Sequence, residues 1–466
     1  MTGAASGAAP ETIVPQHAVL VLPSDGAFDS RSYRIARTLV ERGHQVTILA
    51  RLTRGSLARE VHPLGYPIIR VPASSVDGLP FKPVMRLGLS VVRRLRGRRT
   101  VPDRTAPGGT GTGPEVEAAS TEPVSAEAGP RPRASLPRRA MAGAIRRFAI
   151  PLTLRSHTHN ARSIAPAADM YHGMAYLGIP IALDLAKRHG ASAVYDARDI
   201  YMDARNLARM RGPARWLIAR GERGWARRSG RVITVNQAYA DVMATRWGVE
   251  PLVVMNCSYR FDPPDPPERR FHQALDLPAD RRVVLYHGGL FPDRGVEELL
   301  AAIPSVPNAT LVLMGYGVLE PQFRARALEP GLVDRVRLLP AVPPDELLSW
   351  VAGADVVGMP IQPSTLNHRL TTPNKLFEAM AAGVPVVASD LPGMATIVRE
   401  TGCGLLVDPT DPAAIAGAIR TILDAPAEER AALRRACLEA AHRTYNWESQ
   451  VTGLLDAYSR LTGRRW

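Results

Sequence analysis

Cysteine, lysine and long apolar runs are all scarce in this chain. Its 466 residues include three cysteines, Cys257, Cys403 and Cys437. They lie far apart with no CxxC pair, which excludes a disulfide framework and a cysteine-built zinc site and fits a reducing compartment. No uninterrupted apolar stretch reaches the roughly 18 residues that a bilayer-spanning helix needs. The opening MTGAASGAAPETIVPQ has neither the basic flank nor the apolar core of an export signal, so a cytoplasmic protein is expected. Aromatic residues make up 6% and supply no stacking platform, which argues against nucleic acid as a partner. What is present is enough to bury a core over most of the length: 45% of residues are hydrophobic and 22% charged. At roughly 150 residues per domain, two or three globular units follow.

Lysine occurs only as Lys82, Lys187 and Lys375, so 55 of the 58 basic residues are arginine. The net charge of +14 is concentrated: residues 82–150 hold fourteen basic and five acidic residues, and the rest of the chain is only mildly basic. The excess therefore describes an accessory surface and not the fold.

The first fifty residues read as strand, helix, strand: HAVLVLP, SRSYRIARTLVERG and QVTILA form one βαβ unit of a parallel sheet. Residues 1–16 and an insertion over about 97–135, rich in Gly, Pro, Thr, Ala and Glu, are expected to be disordered. Alternation resumes with DMYHG, AVYDA, RVITV and PLVVM, which complete a first α/β domain over 17–258. The segment FDPPDPPERR marks a Pro-rich linker over 259–280. A second series, VVLYHGG, ATLVLMGYG, VRLLP, ADVVGMP, VPVVASD and GLLVDP, predicts another parallel sheet over 281–440, and the chain ends in helix.

In open α/β sheets ligands bind beyond the carboxyl ends of the strands. Three such places stand out in the second series. Gly288 and Gly289 permit close backbone approach and precede Arg294, whose guanidinium fork suits phosphate. Gly315 and Gly317 form another tight turn. In TTPNKLFEAMAAG, Thr372 is expected as helix N-cap and Pro373 at the first helical position, so that Lys375 and Glu378 share one face of the opening turns. A lysine one turn from an acid suits a diphosphate beside a sugar diol, with Lys375 for the phosphates and Glu378 accepting from hydroxyls.

These segments resemble a known family. PNKLFEAMAAGVPVVASD, with YHGGLFPDRGVEELL before it and GCGLLVDPTDPAAIAGAI after it, is similar to the nucleotide-sugar-binding domain of the retaining glycosyltransferases of family 4. HAVLVLPSDGAFDSRSYRIARTLVERGHQV, ADMYHGMA and AVYDARDIY resemble the family's acceptor-side half. The resemblance implies the GT-B fold, with two Rossmann-like domains facing each other across a cleft and a C-terminal helix over 441–466 packing back on the first. By the same resemblance Glu378 matches the second glutamate of a paired-glutamate motif that holds the donor ribose. Arg294 stands where a basic residue binds the donor pyrophosphate, Lys375 where subgroups carry a further cation, and Leu376 lies within the same donor segment. Gly26, Asp29 and Arg198 fall on the acceptor side, and His172, read as following a strand, is either a contact to acceptor or leaving phosphate or a satisfied structural histidine. Asp29 also reads as a plain helix cap.

Two departures mark this chain. The first paired glutamate would fall eight residues before Glu378, where Leu370 stands, with Asn367 and His368 as the nearby substitutes. Arg198 occupies a place where the family often has histidine. A sugar nucleotide is already activated, so the chemistry needed is stabilisation of charge on the departing diphosphate. Arg294 and Lys375 can supply that without a metal, and the chain has no DxD triplet.

The reading is a metal-independent enzyme that needs no cofactor and moves a sugar from a UDP- or GDP-sugar to an envelope glycan or lipid-linked acceptor. A sugar-nucleotide epimerase or hydrolase of the same fold, or a non-catalytic binding protein, are the alternatives. The basic segments 82–99 and 131–150, which interleave Arg with Val, Leu, Ile and Phe, suit the anionic inner face of the plasma membrane. His287 reads as a packing or backbone-bonding residue, and His157 with His159 lacks the acid or thiol that would complete a metal set.

Overall fold

The computed structural model describes residues 14–26, 29–53, 55–72 and 153–466. The expected disorder over 1–16 and 97–135, apart from residues 14–16, and the basic segments 82–99 and 131–150 lie outside the described residues. The chain divides into two compact units. The first comprises Met1–Asp196, Arg211–Val232 and Tyr458–Trp466; the second comprises Ala197–Met210 and Ile233–Ala457. The Pro-rich segment thus falls inside the second unit and not at its border, because residues 197–210 and 233–258 already pack with that unit.

The first sheet contains β1 (His17–Val21), β2 (Gln45–Arg51), β3 (Arg59–Val61), β4 (Pro67–Val71), β5 (Met170–Met174), β6 (Ser192–Asp196), β7 (Arg231–Thr234) and β8 (Leu252–Val253), in the order β3-β4-β2-β1-β5-β6-β7-β8. β1 pairs in parallel with both β2 and β5, whereas β3 runs antiparallel to β4. β3 and β4 were not expected from the sequence; REV is too short and too polar to announce a strand, and its pattern becomes clear only from its partner. Between β1 and β2 lies the Ser30–Glu41 helix. Asp29 caps it by accepting from the Ser32 backbone N–H at 3.0 Å, so the plain reading of Asp29 holds.

The second sheet contains β9 (Arg282–Gly289), β10 (Ala309–Tyr316), β11 (Val336–Leu339), β12 (Val356–Met359), β13 (Val386–Ser389) and β14 (Gly404–Val407). All pairings are parallel, in the order β11-β10-β9-β12-β13-β14. These are the six strands predicted. Alternate residues of β9 enter different halves of the core: Val283 and Leu285 join one cluster with Phe377 and Met380, and Val284 and Tyr286 join another with Leu299 and Ile415. Burial on both faces explains the near-continuous apolar strands. From β9 the chain builds first toward β10 and β11, then returns to the other side of β9 with β12. The carboxyl ends of β9 and β12 therefore flank the topological switch point, where open α/β sheets bind ligands.

Candidate active site

The site is built at that switch point. β9 ends in Gly288 and Gly289, and the register places Gly315 beside Gly288 and Tyr316 beside Gly289. A Cβ on Gly315 would lie 1.9 Å from the Gly288 carbonyl oxygen, so the two strand ends approach only because no side chain is there. Gly317 closes the turn after β10, its carbonyl accepting from the Glu320 N–H. Beyond β9, Gly295 has φ +80 and packs against the Pro360 carbonyl that follows β12. That contact ties the loop bearing Arg294 to the neighbouring strand end. Arg294 itself is half-buried, and its guanidinium makes no hydrogen bond or ion pair among the described residues.

The Asn374–Ala381 helix lies between β12 and β13 and is buried along most of its length. Its cap differs from expectation. Pro373 is the N-cap, and the Thr372 hydroxyl instead accepts from Asn236 Nδ2 at 3.2 Å, which also donates to the Leu370 carbonyl at 2.8 Å. Lys375 and Glu378 do share a face of the helix. Lys375 is 9% exposed and Glu378 8%. The Lys375 ammonium sits 3.5 Å from the centroid of the Tyr286 ring, a cation–π contact. Burial holds the Lys375 amine well below the ordinary lysine range; the Arg294 charge lowers it further and the Glu378 charge opposes this. Arg294 and Glu378 thus both lie within electrostatic reach of one buried ammonium.

Two neighbours complete the cluster. His287, the last buried residue of β9, lies with Nδ1 3.5 Å from Glu378 Oε2. Its imidazole pKa is pushed down to about 3 by burial and by Lys375, so the ring is neutral at physiological pH. His368 is half-buried, bonds Ser364 Oγ through Nδ1 at 3.0 Å, and is held low by burial and by the Arg294 charge. His368 is therefore within electrostatic reach of Arg294. Asn367 is not available to replace the missing glutamate: Oδ1 accepts from the Ile200 N–H at 2.8 Å and Nδ2 donates to Asp199 at 3.0 Å.

Three further expectations need correction. Leu376 is fully buried in the core, and its N–H donates to the Pro373 carbonyl, so neither its side chain nor its N–H faces a ligand. His172 does not follow a strand but sits inside β5 with 0% exposure. Its Nδ1 lies 2.5 Å from the Tyr458 hydroxyl and its Nε2 3.2 Å from Asp196, which also accepts from Arg31 Nε at 2.6 Å. With both nitrogens engaged in the core, His172 is a structural residue of the first unit. Arg198 belongs to the second unit, while Gly26 and Asp29 belong to the first. Gly26 has φ +84 and its carbonyl accepts from the Tyr33 hydroxyl at 2.8 Å. Tyr286 and His287 were not expected near the site. The only signal was their place beside two glycines at a strand end, which packing explains equally well.

Comparisons with known proteins agree with this architecture. The family described as "Glycosyl transferases group 1" matches residues 281–425, a span that contains Arg294, Lys375 and Glu378. The D-inositol 3-phosphate glycosyltransferase of Acidothermus cellulolyticus is 30% identical over 319 residues, covering 64% of this chain and 68% of the relative. Among solved structures, sucrose-phosphate synthase from Thermosynechococcus elongatus superposes with a TM-score of 0.67 at 19% identity, over 96% of this chain and 99% of that one. The Anabaena protein Alr3699/HepE, in complex with UDP and glucose, gives 0.63 at 16% identity over 96% and 100%. These two likenesses concern the fold. Taken with the relative's identity across two thirds of its length, they show that the chain belongs to the group 1 glycosyltransferases, the GT-B enzymes of glycosyltransferase family 4.

Proposed function

We propose that the enzyme transfers a hexose-type sugar from a UDP- or GDP-sugar to an envelope glycan or lipid-linked acceptor, with retention and without a metal ion. The observation that carries the reading is the gathering of Arg294, Lys375 and Glu378 at the switch point of the second sheet. Arg294 and Lys375 supply two positive charges for a departing diphosphate, and Glu378 accepts hydrogen bonds from ribose hydroxyls. Gly288, Gly289, Gly315 and Gly317 let the backbone approach the donor. In the transfer, the bond from the sugar C1 to the diphosphate oxygen breaks and the acceptor oxygen bonds C1 from the same face. The acceptor proton leaves on the diphosphate.

UDP bound to the Anabaena neighbour favours a uridine donor. The name of the Acidothermus relative favours a second reading of the acceptor, a phosphorylated cyclitol. A thermal-shift panel of UDP- and GDP-sugars is expected to show one donor that raises Tm in the wild type and does so far less in Glu378→Ala. If no donor shifts the wild type, the reading fails. With that donor, inositol 3-phosphate and lipid-linked glycans are then compared as acceptors, and release of free sugar or epimer without either would indicate hydrolysis or epimerisation instead.

Membrane association is part of the proposal and rests on the Arg-rich composition of segments 82–99 and 131–150. The full chain is expected to co-sediment with vesicles containing acidic phospholipid at low salt and to be released at high salt. Equal recovery with neutral vesicles, or no recovery at low salt, argues against it.

A further inference from the structure

We propose that His287 is a positioning residue: its Nδ1–H, 3.5 Å from Glu378 Oε2, orients the carboxylate toward the ribose of the nucleotide. The inference rests on the functional reading above and deepens it. A carboxylate only accepts hydrogen bonds, so a neutral imidazole facing it must carry its proton on Nδ1 and a lone pair on Nε2. The ring is 3% exposed, and Nε2 has no hydrogen-bond partner among the described residues. Here one nitrogen faces the carboxylate of the candidate ribose contact, and nothing in the described protein competes for the ring.

The position also explains the choice of residue type. His287 ends the buried part of β9, directly before the Gly288–Gly289 turn. The strand backbone therefore fixes where the ring begins, while the Asn374–Ala381 helix fixes where Glu378 begins. A group that joins two rigid elements through one polar contact sets the angle of the carboxylate more sharply than the helix alone.

The test measures binding of UDP, GDP and their 2′-deoxy counterparts to wild type, His287→Phe, His287→Asn, Glu378→Ala and the double variant His287→Phe/Glu378→Ala. Asn places an amide donor near the Nδ1 position, whereas Phe keeps the volume and removes the donor. Wild type is expected to prefer the ribonucleotide. His287→Phe is expected to weaken it about tenfold and to erase the preference over the 2′-deoxy form, while His287→Asn stays within about threefold of wild type. In the Glu378→Ala background His287→Phe is expected to change nothing further, because the two act as one unit. Equal losses in both backgrounds, or an intact ribose preference in His287→Phe, overturn the proposal. Should His287→Phe fail to fold, loss of ribose preference in a folded His287→Leu supports the proposal and its retention overturns it. A wild type that binds neither UDP nor GDP overturns the functional reading itself, a result distinct from either outcome above.

Discussion

Arg294→Ala is expected to lower kcat about 10²–10³-fold, the range typical of removing one preorganised charge-stabilising group from an active site. The same substitution is expected to move folding stability by no more than about 0.5 kcal/mol. The asymmetry follows from the structure. The guanidinium is half-buried and makes no hydrogen bond or ion pair among the described residues, so its loss orphans no buried acceptor. It also relieves Lys375, whose amine Arg294 helps to hold low. Arg294→Lys keeps the charge but loses the bidentate fork, so an intermediate rate is expected. Steady-state kinetics beside thermal melts separate the two effects; a large drop in Tm with unchanged kcat in the folded fraction would show that Arg294 serves the fold.

Lys375→Met is expected to raise stability at pH 7 while disabling the enzyme: kcat/KM falls about 10²-fold or more, and the folded state is freed of the ammonium's burial penalty. A methionine fills the space and keeps contact with the Tyr286 ring without the desolvation that the ammonium suffers. The sign with pH follows from the direction of the shift. Because the folded-state pKa of Lys375 is lowered, the unfolded chain binds the proton more tightly, and the penalty is fully present below the folded pKa. It disappears as pH rises through the window up to the unfolded value of about 10.4. The advantage of Lys375→Met over wild type is therefore expected to shrink across that window. Donor binding has a linked dependence. A diphosphate raises the amine's pKa, so wild-type affinity is expected to weaken as pH climbs above the depressed value, and Lys375→Met loses that slope. Parallel pH profiles in the two proteins would remove Lys375 from the site.

The pairing of Lys375 with Glu378 could be read from the sequence because helical spacing is a local property and lysine is rare in this chain. The six strands of the second sheet were equally plain, since each is a short apolar run closed by Gly or Pro. What escaped depends on tertiary packing. DMYHG reads as a strand that stops before His172, yet the strand continues to Met174 and buries the ring between Asp196 and Tyr458, residues 24 and 286 positions away. Leu376 lies beside Lys375 in the chain, but the helical rotation sends it into the core. Asn367 looked like a free substitute for the absent glutamate until Asp199 and Ile200 were found to engage it. The link from His287 to Glu378 joins a strand to a helix across 91 positions, beyond the reach of periodicity.

A crystal structure of the full chain with UDP tests the central claim most directly. The diphosphate is expected against Arg294 and Lys375 beyond β9, with ribose hydroxyl oxygens within about 3.2 Å of the Glu378 carboxylate. A nucleotide bound elsewhere, or one whose diphosphate contacts neither cation, would contradict the account.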